Sequence, residues 1–258
     1  MDKTFALVIS AIDPINGAGF TLDISLLGAM GIKAMGVPTA ILPQSTSGVA
    51  YIKELEKSTL IDSLQLIFST VTPVGMKVSI MGNLMDEIPD ICSQINGPRV
   101  LDPIISPGGL RILDEKKLNK LREIIPLFDF ITPNIPEARE ILGVKEMSPE
   151  RMCEELFRTF HTNVYLKGGH SSSKIDLFCS EAGLLKIPPT KIFPYEVHGT
   201  GCFLSSALLG FLINGDPPEQ AILNAKKLLV RGYETAIELG GPKRVFSPPE
   251  KIYSFERE

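Results

Sequence analysis

Short apolar runs alternate with longer amphipathic ones along most of the chain, the pattern of a parallel sheet whose strands are linked by covering helices. The apolar runs predict strands over Phe5–Ala11, Ala34–Ile41, Gly75–Ile80, Arg99–Asp102, Phe128–Thr132 and Asn163–Lys167. Between them, helical spacing predicts helices over about Phe20–Met30, Ser58–Ser69, Asn83–Gln94, Glu115–Ile125, Ile135–Leu142 and Pro149–Phe160. Two ends carry readable signals: Ser148-Pro149-Glu150 has the order cap, first-turn proline and early acid, and Gly31 stops the helix ending at Met30. After Lys167 the period changes. Lys174–Cys179 and Leu184–Ile187, joined through Ser180-Glu181-Ala182-Gly183, predict an antiparallel hairpin at the sheet edge, and helices over Thr200–Ile213 and Pro218–Leu239 close the chain. The fold class expected is α/β, a central, mostly parallel sheet with helices on both faces.

Composition narrows the function. With 258 residues, 44% hydrophobic and 22% charged, the chain can bury a real core. No repeat, low-complexity tract or shift in composition marks a linker, so residues 1–258 read as one domain. A net charge of -4, with no Lys/Arg cluster beyond pairs such as Lys116-Lys117, argues against a nucleic-acid partner. The start, Met1-Asp2-Lys3-Thr4-Phe5, does not have a signal peptide's layout, and the longest apolar run, Phe203–Ile213, is broken by Ser205, Ser206 and Gly210. No membrane association is expected, and the cytoplasm is the expected location. Cys92, Cys153, Cys179 and Cys202 form no CxxC pair and lie at no zinc-site spacing from His161, His170 or His198, so reduced thiols are expected.

Three turns could carry chemistry, each directly after an apolar strand or at a helix start, where open α/β sheets bind ligands. In Asp13-Pro14-Ile15-Asn16-Gly17-Ala18-Gly19 the glycines permit close backbone approach, and Asp13 and Asp23 could accept hydrogen bonds from a ligand. The bland reading is a structural βα turn. In Thr132-Pro133-Asn134-Ile135-Pro136-Glu137, Asn134 and Glu137 have capping-box spacing, or they stand near a magnesium–phosphate group. In His198-Gly199-Thr200-Gly201-Cys202, bare amides at the positive end of a helix suit an anion, and the same position favours a lowered Cys202 pKa. The alternative there is a buried helix with a glycine cap and a packed thiol.

Together these segments resemble the hydroxymethylpyrimidine/phosphomethylpyrimidine kinases of the ribokinase superfamily. The resemblance rests on Asp13-Pro14, Gly17-Ala18-Gly19, Asp23, Gln44-Ser45-Thr46-Ser47-Gly48-Val49, Leu101-Asp102-Pro103, Thr132-Pro133-Asn134, Glu137, Lys167-Gly168-Gly169-His170 and His198–Cys202. The last is the most specific, because sugar kinases of the superfamily end this motif in an aspartate where Cys202 stands.

The resemblance implies a ribokinase-like three-layer α/β/α sandwich, ATP and Mg2+ as cofactors, and a homodimer. It implies that Cys202 is the base, that Gly199, Thr200 and Gly201 form the anion hole, and that Asn134, Glu137 and Asp102 orient magnesium. Lys167 would lie near the nucleotide phosphates, and Gln44 would hold the aminopyrimidine with Asp23 and Ala18 in the same pocket. An amide matches that edge, donor to acceptor and acceptor to donor. The chain departs from the family at Ala11, where glycine lines the pyrimidine pocket, at Ile80, where methionine meets the ring, and at Pro43-Gln44-Ser45-Thr46, where Ala-Gln-Asn-Thr is common. A tighter pocket is expected. The competing expectations are a pyridoxal or pyridoxine kinase and a non-catalytic pyrimidine-binding sensor.

Overall fold

In the computed structural model, which describes residues 4–169 and 174–249, the strands are β1 (Phe5–Ile12), β2 (Lys33–Ile41), β3 (Gln44–Ser45), β4 (Gly48–Val49), β5 (Lys53–Glu54), β6 (Met76–Val78), β7 (Arg99–Leu101), β8 (Phe130–Ile131), β9 (Asn163–Leu166), β10 (Asp176–Ser180) and β11 (Gly183–Ile187). The helices are α1 (Gly19–Ala29), α2 (Lys57–Thr70), α3 (Ile88–Ser93), α4 (Glu115–Ile124), α5 (Ile135–Leu142), α6 (Pro149–Phe160), α7 (Thr200–Ile213) and α8 (Pro218–Glu234). Nine strands form one sheet in the order β11-β10-β9-β8-β7-β6-β1-β2-β5. The run from β9 to β2 is parallel, whereas β10 pairs antiparallel with both β9 and β11, and β5 antiparallel with β2. The expected edge hairpin is β10–β11.

Strand alternation builds the layers. Leu7 and Ile9 of β1 face one core with α2 to α6, while Ala6 and Val8 face another with α1, α7 and α8. The result is the three-layer sandwich. The helix α7 has no polar face and is buried from Cys202 to Phe211, as its composition requires.

Two helices differ from the sequence expectation. The segment expected at Asn83–Gln94 is a 3-10 turn at Gly82–Leu84 followed by α3, because Pro89 fits only the first turn of a helix. The last helix stops at Glu234 rather than Leu239, since Ile237 exchanges backbone hydrogen bonds with Val245 across the Gly240-Gly241 turn. The small hairpin β3–β4, which the apolar pattern does not reveal, carries Gln44. His170 lies outside the described residues.

Candidate active site

The turn after β1 is held by its own aspartate. Asp13 Oδ1 accepts from the Ile15 amide (3.0 Å), and Oδ2 accepts from the Gly17 amide (3.0 Å) and faces His198 Nε2 (2.9 Å). Asp13 is thus a scaffold between two loops, not the free acceptor for a ligand that its position suggests. The loops touch backbone to backbone: Gly199 has φ +82°, and a Cβ there would stand 1.9 Å from the Gly17 carbonyl oxygen. Only glycine meets both conditions. This contact sets the N-termini of α1 and α7 side by side, and the Gly19 amide of α1 donates to the Cys202 sulfur.

Cys202 lies in the first turn of α7 and is buried. Burial pushes its thiol up to about 12, and the negative charges of Asp23 and Asp102 add to this against the opposing pull of Lys77. The lowered pKa expected from a helix N-terminus is therefore corrected: desolvation outweighs the dipole.

Asp23 is a second correction. It does not line the ligand cavity but is fully buried beneath it, paired with the equally buried Lys77 (Nζ–Oδ1 2.5 Å). Lys77 Nζ also donates to the Cys202 carbonyl (3.1 Å) and to Ser206 Oγ (3.1 Å), so its three protons tie β6 to α1 and α7. Burial alone would favour loss of the Lys77 proton, but Asp23 outweighs it and the ammonium is held charged.

Across the sheet ends, Asp102 follows β7 and Lys167 follows β9. Lys167 Nζ donates to Asp102 Oδ1 (2.7 Å), which also accepts from Thr132 Oγ1 (3.2 Å), while Ser205 Oγ of α7 donates to Oδ2 (3.3 Å). Burial would raise the Asp102 carboxyl, but Lys167 and Lys77 hold it below its ordinary value. Asn134 and Glu137 form the complete capping box of α5, with Glu137 N to Asn134 Oδ1 at 2.9 Å and Asn134 N to Glu137 Oε2 at 2.8 Å. The cap is real, and the same two residues line the cavity.

Burial lifts the Glu137 carboxyl to about 7 despite Lys167. A raised acid stabilises the fold while protonated, so stability should fall as pH rises from about 4.5 to 7 and then level off. We expect the midpoint of thermal unfolding to fall between pH 5 and 8 in the chain without nucleotide, by the equivalent of up to about 3 kcal/mol. Glu137→Gln should flatten that slope and keep the cap, while turnover supported by a divalent cation falls. The carboxylate oxygens of Glu137, one of them used by a backbone amide, and of Asp102, which Lys167 orients, fit magnesium carried in with a nucleotide and keeping most of its water.

All this surrounds one cavity of about 630 Å³. It contains every residue expected at the site except Asp23: Ala11, Ala18, Gln44 and Ile80 at one end, Gly199, Thr200, Gly201 and Cys202 in the middle, and Asp102, Asn134, Glu137 and Lys167 beside them. The sequence reading missed its far wall. Phe193 stacks on Tyr233 (4.9 Å between centroids), Tyr195 lies over the Arg244 guanidinium (3.8 Å), and Lys226 pairs with Asp176, which also holds the Tyr165 hydroxyl and the Gly168 amide. No motif marks these positions; the loop before α7, the helix α8 and the strand β10 bring them together.

A family model described as phosphomethylpyrimidine kinase matches residues 13–246. A hydroxymethylpyrimidine/phosphomethylpyrimidine kinase of Staphylococcus aureus is 31% identical over 258 residues, covering 94% of this chain and 93% of the relative. The thiamine biosynthesis bifunctional protein ThiED of Geobacter sulfurreducens is 31% identical over 246 residues, and this chain spans 50% of its length. Among solved structures, phosphomethylpyrimidine kinase from Clostridium difficile superposes with a TM-score of 0.75 at 29% identity, over 90% of this chain and all of that one. The pyridoxal kinase of Staphylococcus aureus in complex with ADP has a TM-score of 0.86 over 96% of this chain and 94% of its own, at 19% identity, a likeness of fold. With the glycine-walled helix start, the buried cysteine and the Lys167–Asp102 pair in one cavity, the chain belongs to the phosphomethylpyrimidine kinase family.

Proposed function

We propose that the chain transfers the terminal phosphoryl group of ATP in thiamine synthesis to one or both of two acceptors, the hydroxymethyl group of 4-amino-5-hydroxymethyl-2-methylpyrimidine and the phosphate of its monophosphate. The observation that carries the reading is the convergence of the Cys202 sulfur, the α7 amides and the Lys167–Asp102 pair on one cavity that also holds Gln44. Phosphoryl transfer asks a protein for positioning and charge stabilisation. The Gly199–Gly201 amides at the positive end of α7 face the charge that develops on the transferred group. Lys167, oriented by Asp102, neutralises phosphate oxygens. The thiolate form of Cys202 takes the hydroxyl proton as the new P–O bond forms and the bond from the transferred phosphorus to ADP breaks. Magnesium, when bound, supplies a Lewis acid that draws off phosphate charge, and Asp102, Asn134 and Glu137 would hold it. The Phe193–Tyr233 stack offers an aromatic wall to the nucleobase.

Gln44 stands on β3 at the cavity wall, and its carboxamide has no protein partner among the described residues. Gln44→Leu should leave the aminopyrimidine edge unpaired, at about 1–3 kcal/mol for each lost partner. The KM for the pyrimidine should rise at least tenfold while that for ATP stays put; an equal rise in both would show that Gln44 does not read the pyrimidine.

The same reading takes residues 1–258 as one domain, the cytoplasm as location and a homodimer as the assembly that the family resemblance implies. Among the described residues no helix is long and apolar enough to cross a membrane. One calorimetric transition and a dimer mass by light scattering are the expected results.

A further inference from the structure

The sheet face beneath the cavity carries two serines with no part in the chemistry above. Ser10 is in β1, and Ser79 follows β6 in the neighbouring strand position, held by its amide to the Ile9 carbonyl (2.9 Å). By strand alternation Ser10 shares the face of Ala6 and Val8, and Ser79 shares that of Lys77, whose ammonium touches the Cys202 carbonyl. The two hydroxyls meet at 2.7 Å, and both residues are 1% exposed. Each is the chain neighbour of a residue at the substrate end of the cavity, Ala11 and Ile80, and Ser10 itself lines that cavity.

A pair of hydroxyls has two protons, and one is spent inside the pair whichever way it points. The second finds no acceptor among the described residues. A donor left unpaired in a buried place is costly, and native structures rarely keep one without use.

We propose that the Ser10–Ser79 pair is a specificity element of this chain that donates one hydrogen bond to the substrate. The ligand it selects is a neutral heteroaromatic alcohol that turns an acceptor, an sp2 ring nitrogen or an oxygen lone pair, towards the ends of β1 and β6. This deepens the pyrimidine reading and rests on it. Where Gln44 reads one edge of the ring from β3, the serines hold a second acceptor from the sheet.

Isothermal titration of the full chain with 4-amino-5-hydroxymethyl-2-methylpyrimidine, and separately with ADP, tests it. Ser10→Ala should weaken pyrimidine binding about 5–100-fold, the cost of one unpaired buried acceptor, and leave ADP binding unchanged. Ser10→Cys, of similar size but a weak donor, should lose most of the same affinity. Ser79→Ala should lose less, within about threefold, because Ser10 keeps its proton. Melting temperatures of all three should stay within about 10 °C of that of the unsubstituted chain, the cost of one lost buried hydrogen bond, and ADP affinity should be kept, which separates lost recognition from lost fold. Undiminished pyrimidine affinity in both Ser10 variants, or a parallel loss of ADP affinity, overturns the proposal. Pyridoxal is titrated first into the unsubstituted chain: if it binds and the pyrimidine does not, the pyrimidine reading fails, and the serine series is judged on pyridoxal by the same criteria. If neither binds, both fail.

Discussion

Cys202→Ser should lower kcat by about 10²–10⁴-fold with little change in either KM, the usual span for loss of an acid–base group. A hydroxyl is close in size to the thiol but a far weaker acid, so packing is kept and the proton acceptor is lost. The structure adds a signature to this expectation. Burial holds the thiol at about 12, so the thiolate fraction near neutrality is small and grows tenfold with each pH unit. Turnover should therefore climb between pH 7 and 10. Cys202→Asp, whose carboxylate is ionised throughout that range, should retain part of the rate with a flat profile. Iodoacetamide should modify Cys202 slowly, no faster than Cys92, which burial pushes up to about 11. A Cys202→Ser enzyme with the original rate and pH profile would reduce the thiol to packing.

Lys77→Met should destabilise the fold by about 3–5 kcal/mol, because it strands the Asp23 carboxylate where no water reaches it. In a chain of this size each kcal/mol shifts the melting temperature by roughly 2–4 °C, so the loss is large in a thermal melt. The double variant Lys77→Met/Asp23→Leu should recover most of it, since replacing a whole buried ion pair by apolar groups is often neutral. Denaturant titration of the three proteins measures the coupling directly. A single variant that costs under about 1 kcal/mol, or a double variant as unstable as the single, would mean that the pair is not ionic. The same lysine steadies the first turn of α7 through the Cys202 carbonyl, so survivors of Lys77→Met should also turn over more slowly.

Much of this was legible along the chain because it depends on local pattern. The bounds of α5, α6 and α7 agree with those read from sequence, where Asn134, Ser148 and Gly199 mark the starts. Twelve of the site residues named from sequence meet in one cavity because strand ends and helix starts concentrate in one place when strands run parallel. The errors share a different cause. The partner of Asp23 is Lys77, 54 residues away in an otherwise apolar strand, and nothing near either residue announces the other. The Cys202 pKa depends on how completely α7 is covered, which is a property of packing rather than of helix position. The aromatic wall at Phe193 and Tyr233 assembles a loop and a helix that share no motif. Charge pairing, burial and long-range assembly belong to the folded chain.

The central claim is transfer of a phosphoryl group to a pyrimidine alcohol, and ADP release tests it most directly. The full chain with ATP and Mg2+ is supplied in turn with 4-amino-5-hydroxymethyl-2-methylpyrimidine, its monophosphate and pyridoxal. The account predicts ADP formation with one or both pyrimidines, at a kcat/KM at least about tenfold above that for pyridoxal, the margin that pocket contacts of this kind supply. A higher kcat/KM for pyridoxal, or no ADP from a chain that binds both ATP and the pyrimidine, would contradict it.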